Sequence, residues 1–311
     1  MKKTLFLLPL LLLSSCSKQI YLEHIEYFFD TTIKTSLTKK DDINYQDILD
    51  IISTYHRYFD IYNHYNGITN IYDINQDNDI HLVDKKLFSA LKTAKEYMNL
   101  TNGYFNPFIG SLKKAYENAK NTKTPLTNEE INFYVNEMNK SSLILNEENL
   151  SVQRKGTSQL DFGAFAKGYT LKIIKELLND RNIEQYLINA GFSSILLGHD
   201  QNKSIKVHLK YDPKHYLLLK NTSIGVSSDY ERGFEINNER YSHIINPFTG
   251  LASVKYDFTL VVDEDPLKAD VYSTVFSLMD LDEIQSTNIK CLIYQDQQKI
   301  YSSNDLEDYY Y

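Results

Sequence analysis

The sequence predicts an α+β fold, a single domain over residues 16–311 with largely antiparallel sheets and flanking helices. Helical periodicity fills much of the first part of the chain, and short runs with strand character crowd the second. Those runs follow one another across turn residues, whereas a parallel sheet needs a crossover between each pair. At 311 residues and 42% apolar content the chain can bury a sizeable core, and no internal repeat or low-complexity block divides it.

The opening residues stand apart from this domain. Met1-Lys2-Lys3 leads into an apolar run from Leu5 to Leu13, interrupted by Pro9. A positive start and a short apolar stretch describe an export signal. The run falls well short of the roughly 20 apolar residues that span a bilayer. It ends in Leu13-Ser14-Ser15-Cys16, which resembles the lipobox of bacterial lipoproteins. That resemblance implies a signal peptide over residues 1–15, cleavage before Cys16 and acylation of Cys16; a chance Cys in an ordinary export signal is the other reading. Acyl chains on Cys16 would hold the protein on the extracytoplasmic side of a bacterial cell membrane.

The elements of the domain follow in order. Residues 42–59 read as a helix capped by Asp42, with Ile48, Ile51, Ile52, Tyr55 and Phe59 on one face. Residues 84–100 carry a second apolar stripe, Leu87, Leu91, Ala94 and Met98, and Gly103 is placed to stop that helix. Thr127 and Glu130 form a capping box for a helix over 128–138. A hairpin joins 142–145 to 150–153, and a helix runs over 166–178. Strands are expected at 186–189, 194–197, 204–209, 216–220, 234–236 and 258–262. Asp265 and Pro266 start a helix running toward Leu281, and strands at 289–294 and 299–302 close the chain.

Composition excludes several functions. The formal charge is −8, and losing Lys2 and Lys3 with the signal would make it −10, which argues against a nucleic-acid partner. Two Cys supply neither a disulfide framework nor a Cys-based zinc site. Cys291 lies in the apolar run Ile289-Lys290-Cys291-Leu292-Ile293 and reads as a buried structural thiol.

Three segments carry chemistry. Leu160-Asp161-Phe162-Gly163-Ala164-Phe165-Ala166-Lys167-Gly168-Tyr169 combines small residues with a helix start, which leaves free backbone N–H groups where an anion can sit. Lys167 in the first turn opposes the helix dipole, as expected if it meets a phosphate, although a tight turn with a solvated Lys fits equally. In Lys268-Ala269-Asp270-Val271-Tyr272-Ser273-Thr274, Asp270 and Thr274 share a helix face and offer hard oxygen ligands suited to Mg²⁺; the plain alternative is a helix start with a packed Thr. In Arg240–Gly250, His243 precedes an apolar pair and a turn-forming Asn-Pro…Thr-Gly. It is either a structural His or a general base within reach of a substrate proton.

Together these segments resemble the ApbE family, the FAD:protein FMN transferases, in the family's order and over nearly the whole chain after Cys16. Tyr27-Phe28-Phe29-Asp30-Thr31 resembles the family's Met-Gly-Thr start, and His64-Tyr65 through Ile74-Asn75 its Ser-Thr-Tyr…Leu-Asn segment. Thr101–Pro107 is similar to Gly-x-Phe-Asp-Pro, and Leu160–Tyr169 to Leu-Asp-Leu-Gly-Gly-Ile-x-Lys-Gly. Asn189-Ala190-Gly191 matches part of a Gly-Gly stretch, and Ser227–Arg232 resembles Ser-Gly-Asp-Tyr-Glu-Arg. His243–Gly250 resembles His-Ile-Ile-Asp-Pro-x-Thr-Gly, and Ala269–Thr274 resembles Ala-Asp-x-x-Ser-Thr.

The resemblance implies roles at the matched positions. Asp161 and Lys167 would contact FAD, and Phe29, Tyr65, Tyr104, Phe105, Asn106 and Ile245 would line its pocket. The Ala164 carbonyl, Asp270, Thr274 and Ser273 would hold Mg²⁺, and His243 would be the base. The implied reaction moves FMN from FAD to a Thr or Ser hydroxyl of an acceptor flavoprotein in a redox complex and releases AMP. Hydrolysis of FAD to FMN and AMP, or flavin binding without catalysis, are the alternatives. The chain departs from the pattern at Phe29-Asp30, at Asn106 and Asn246 in place of Asp, at Phe192 in place of Gly, and at Ser242 where many members carry a second His.

Overall fold

The computed structural model describes residues 19–209, 212–229, 233–307 and 309–311. The export segment, Cys16 and residues 230–232 of the Ser-Ser-Asp-Tyr-Glu-Arg motif lie outside the described residues.

The α+β expectation holds. Eight strands form one sheet in the spatial order Tyr21–Phe28, Thr31–Thr38, Tyr186–Ala190, Ser194–Leu197, Thr222–Ser228, Phe258–Asp263, Lys290–Gln295 and Gln298–Ser302. Every neighbouring pair is antiparallel. The helix Pro266–Phe276 lies across Thr222–Ser228 and Phe258–Asp263, Ala166–Asp180 packs beside it, and Tyr45–Phe59 packs on Ala166–Asp180. Lys85–Leu100, Gly110–Thr122 and Asn128–Lys140 extend this layer, together with a three-stranded sheet of Ile80–Leu82, Ser151–Lys155 and Ser142–Asn146. Aromatic rings bind the layers: Phe165 stacks on Tyr169 at 5.2 Å and on Phe105 at 5.7 Å between centroids.

Local signals fix many of the boundaries. The capping box is present, with the Thr127 hydroxyl accepting from the Glu130 N–H at 3.2 Å and the Glu130 carboxylate from the Thr127 N–H at 2.8 Å. Gly103 at φ +87° donates its N–H to the Met98 carbonyl at 2.9 Å and ends the helix Lys85–Leu100. Cys291 is fully buried, and burial pushes its thiol up to about 12.

Other expectations need correction. Asp42 does not cap the first helix; it opens a 3-10 turn, Asp42–Asn44, and its carboxylate meets His24 Nε2 at 2.6 Å. The helix expected to run toward Leu281 stops at Phe276, and a second one, Leu281–Ser286, begins from its own Asp280/Glu283 capping box. The hairpin Tyr21–Phe28/Thr31–Thr38 turns through Phe29 and Asp30, both left-handed at φ 52° and 54°. The sequence reading did not identify it. Neither did it identify the strand Thr222–Ser228, where hydroxyl residues occupy buried positions and mask the strand pattern. Their demand is met locally, since Thr222 and Ser223 both donate to the Asp263 carbonyl, at 3.1 and 2.6 Å.

Two glycines set the spacing of the central layers. A Cβ on Gly225 would lie 2.0 Å from the Ala269 carbonyl oxygen, so strand Thr222–Ser228 and helix Pro266–Phe276 touch backbone to backbone. A Cβ on Gly168 would lie 2.5 Å from the Asp270 Cβ and 3.0 Å from the Leu267 Cα, so the two helices also pack closely.

The hairpin Ile205–Leu209/Asp212–Leu219 stands outside the large sheet and is fastened by the segment 309–311. Tyr216 and Tyr311 exchange backbone hydrogen bonds at 2.9 and 3.0 Å. The Asp212 carboxylate accepts from the Tyr310 hydroxyl, from the Tyr294 hydroxyl at 3.2 Å, and faces His215 Nδ1 at 2.6 Å. Burial alone would raise the Asp212 carboxyl, but the Tyr310 and His215 bonds outweigh it and hold it below the usual carboxylate range.

Two outcomes follow from this packing. Gly225→Ala is expected to lower stability by about 3 kcal/mol through overpacking of two backbones, read as a shift of the urea midpoint; an unchanged midpoint would refute the close contact. Because the Asp212 carboxyl is depressed in the folded state, its contribution is present above the ordinary carboxylate value and lost as pH falls through the lowered one. The stability gap between wild type and Asp212→Asn should therefore shrink as pH falls from about 5 through the lowered value. A gap that grows on acidification would reverse that reading.

Candidate active site

A cleft of about 1050 Å³ opens over the helix Pro266–Phe276. Its size exceeds the usual range for drug-sized ligands, roughly 300–1,000 Å³. The segment 161–167 and the helix residues Asp270 and Thr274 line its base, and Tyr104–Ile109 with the helix Gly110–Thr122 line one side. Val207, His208 and Leu209 of the fastened hairpin line another, and Ser242–Pro247 and Gly191–Ser193 complete the lining.

Ten of the residues singled out in the sequence meet in this cleft: Tyr104, Phe105, Asn106, Asp161, Ala164, Lys167, His243, Ile245, Asp270 and Thr274. Three do not line it. Ser273 is buried beneath, donating its hydroxyl to the Asp270 carbonyl at 2.8 Å. Phe29 is turned against His56, with ring centroids 5.4 Å apart, and its neighbour Asp30 reaches the cleft instead. Tyr65 donates to Asp60 Oδ2 at 2.7 Å, and Tyr62 takes the place in the lining. Burial alone would raise the Asp60 carboxyl, but donors from Asn63, Tyr62 and Tyr65 hold it below the usual range and lock that loop.

The Asp270 carboxylate is buried and oriented by two donors, the Ser194 hydroxyl on Oδ1 at 2.5 Å and the Gly168 N–H on Oδ2 at 2.8 Å. Each oxygen keeps a lone pair for a further partner. Ser227 Oγ lies 3.0 Å from Ser273 Oγ and 3.1 Å from Thr274 Oγ1, a hydroxyl chain that fixes the Thr274 rotamer. Lys167 stands in the first turn of Ala166–Asp180, and among the described residues no carboxylate pairs with it. Asp161 is 6% exposed and accepts from the Gly163 N–H at 2.8 Å and from Lys113 Nζ at 2.7 Å. Desolvation works against the Lys113 charge, but the Asp161 carboxylate outweighs it and holds the ammonium above the ordinary lysine range.

The departures from the family pattern have structural roles. Asn106 caps the turn Pro107–Ile109, its Oδ1 accepting from the Phe108 N–H at 3.0 Å. Asn246 Oδ1 accepts from Phe248 and Thr249 N–H groups at 2.9 and 3.2 Å. Both turns use only an acceptor oxygen, which Asn supplies as Asp would. Ser242 is buried, and its hydroxyl accepts from the Ile244 N–H at 3.1 Å, bracing the backbone that carries His243. Phe192 is left-handed at φ 60° and 77% exposed beside the cleft, held by the Asn189 side chain at 2.8 Å.

Lys113, Tyr62, Ser194 and Ser227 were not read as site residues in the sequence. Leu112, Ala115, Tyr116 and Ala119 are buried on one face of Gly110–Thr122, a spacing that marks the helix carrying Lys113. Ser227 opens the Ser227–Arg232 string, to which the sequence assigns no site role, and Ser194 has no such signal.

The model of the ApbE family matches residues 29–292. The FAD:protein FMN transferase of Klebsiella pneumoniae (strain 342) is 27% identical over 228 residues, covering 70% of this chain and 71% of that protein. The FAD:protein FMN transferase of Chlamydia muridarum is 24% identical over 225 residues, with the same coverage of 70% and 71%. In fold, the chain is similar to the ApbE protein of Thermotoga maritima, with a TM-score of 0.81 at 22% identity over 93% of this chain and 99% of that one. It is also similar to the flavin transferase ApbE of Vibrio cholerae, with a TM-score of 0.73 at 17% identity over 94% and 100% of the two chains. With a family match that spans most of its length, this chain belongs to the ApbE family.

Proposed function

We propose that this protein transfers FMN from FAD to a Thr or Ser hydroxyl of an acceptor protein and releases AMP. The observation that carries the reading is the meeting of Asp270, Thr274, Ala164, Lys167 and His243 in one cleft large enough for a dinucleotide. Curated relatives bearing the name FAD:protein FMN transferase support it.

The chemistry follows from the side chains. A pyrophosphate brings concentrated negative charge to a chain of formal charge −8, so it needs local cations. Lys167 supplies one from the first turn of Ala166–Asp180, whereas the neighbouring N–H groups expected to cradle an anion are already bonded, Ala166 to the Phe162 carbonyl at 2.8 Å and Gly168 to Asp270. The donor set of Asp270 carboxylate, Thr274 hydroxyl and Ala164 carbonyl is all oxygen and fits Mg²⁺, which takes few protein ligands and completes its shell with water and phosphate. Mg²⁺ held by these three residues would neutralise charge on the leaving phosphate. Ser194 and the Gly168 N–H hold the Asp270 carboxylate in its orientation, and Ser227 fixes the Thr274 hydroxyl.

His243 takes the proton as the acceptor oxygen attacks the FMN-side phosphorus. The phosphorus–oxygen bond to the AMP phosphate breaks in the same step, and AMP leaves. Proton removal of this kind contributes about 10²–10⁴-fold. The acceptor is a flavoprotein subunit of a redox complex on the same face of the membrane. The Leu13-Ser14-Ser15-Cys16 motif supports a lipid anchor at Cys16 and an extracytoplasmic location.

The test incubates the purified chain with FAD, Mg²⁺ and a candidate acceptor and follows the acceptor's intact mass together with AMP. Transfer gives AMP and an acceptor heavier by FMN less water. AMP without acceptor modification by any hydroxyl-bearing candidate would replace transfer with FAD hydrolysis. Asp270→Ala is expected to lose at least about 10³-fold in Mg²⁺-dependent turnover; full activity in that variant would remove Asp270 from the metal assignment.

A further inference from the structure

The base of the cleft contains a feature that a site for an anionic substrate should not tolerate. Asp161 is a buried carboxylate in the cleft lining, three residues before Ala164 and six before Lys167. A bare negative charge there would repel a pyrophosphate lodged against Lys167, and in a poorly hydrated cleft that repulsion is only weakly screened. Asp161 is not bare, however. Lys113 Nζ sits 2.7 Å from its Oδ2, while the Gly163 N–H holds its Oδ1 at 2.8 Å. The ammonium reaches it from a separate element, the helix Gly110–Thr122, and itself lines the cleft.

The same ammonium lies 3.6 Å from where a Gly163 Cβ would be, so it lies along the turn that leads into Ala166–Asp180. A Lys locked to a carboxylate carries little net charge toward a ligand. Lys167, which lacks such a partner among the described residues, keeps its full charge.

We propose that Lys113 is a positioning residue that makes the cleft fit for a phosphate-bearing flavin: it cancels the Asp161 charge and fixes the Asp161–Gly163 turn, without gripping the substrate itself. This rests on the flavin-transfer reading of the cleft. It assigns the two lysines different tasks, Lys167 to the ligand and Lys113 to the protein's own carboxylate.

A charge-cancelling residue has a signature that a direct ligand contact lacks. Its loss is repaired by removing the charge it cancels. FAD and riboflavin dissociation constants, measured by flavin fluorescence at fixed ionic strength, separate the cases. Lys113→Met should bind FAD at least 10-fold more weakly than wild type, with riboflavin, which has no phosphate, within twofold. The double variant Lys113→Met/Asp161→Asn should bind FAD within about threefold of Asp161→Asn alone, because Asn still accepts from the Gly163 N–H and leaves no charge for Lys113 to cancel.

Should Lys113→Met fail to fold, the double variant and Asp161→Asn still decide the matter, since the two are expected to bind FAD within about threefold of each other. A double variant weaker than Asp161→Asn by the factor expected of Lys113→Met would make Lys113 a direct contact and overturn the proposal. Equal loss of riboflavin and FAD would reduce Lys113 to a packing role and overturn it too. A wild-type chain that binds riboflavin and not FAD would overturn the flavin-transfer reading itself, and this assignment with it.

Discussion

The rest of the structure depends on how closely the strand Thr222–Ser228 approaches the helix Pro266–Phe276. With no side chain at Gly225, the strand backbone lies against the Ala269 carbonyl, and with none at Gly168 the neighbouring helix reaches Asp270. That proximity puts a Gly168 N–H and a Ser194 hydroxyl onto one carboxylate, and the Ser227 hydroxyl onto Thr274. Ordinary helix-to-sheet packing, with side chains filling the gap, would leave these groups too far apart to bond. The polar positions of the site are thus set by main chain, which moves less than side chains do, and are braced from three elements at once.

Burying polar groups this densely is stabilising only when each has a partner. The site meets that condition. Asp270, Ser227 and Ser273 bond to one another or to backbone, and Asp161 is satisfied by one N–H and one ammonium. Preorganisation of this sort lets a site present charge without rearranging solvent at the moment of reaction. Around it, apolar and aromatic contacts supply the bulk of the cohesion, with Phe165 stacked between Phe105 and Tyr169 directly behind the segment 161–167.

How much of this is legible in the sequence differs by element. Where periodicity and caps coincide, as at 84–100 with Gly103 or at Thr127 with Glu130, the boundaries are readable to within a residue or two. The strand Thr222–Ser228 is not, because its buried positions carry hydroxyls whose partners, Asp263, Ser273 and Thr274, lie more than 35 residues away. The candidate site motifs are legible as short strings, and ten of their residues meet in the cleft. Phe29 and Tyr65 lie outside the cleft lining because they are engaged by His56 and by Asp60, and string similarity carries no direction. Lys113 is invisible for a different reason: a lone Lys on a helix announces nothing until its buried carboxylate partner is known.

The thiol of Cys291 has a consequence for where such a protein can operate. It is the only free cysteine among the described residues, wholly enclosed, with its ionisation suppressed by burial. A thiol that neither ionises nor meets solvent does not exchange with disulfides and resists peroxides. The folded domain is therefore indifferent to the oxidation state of its surroundings. Among the described residues no disulfide is made or lost when those surroundings change, so a thiol oxidoreductase has no bond there to form.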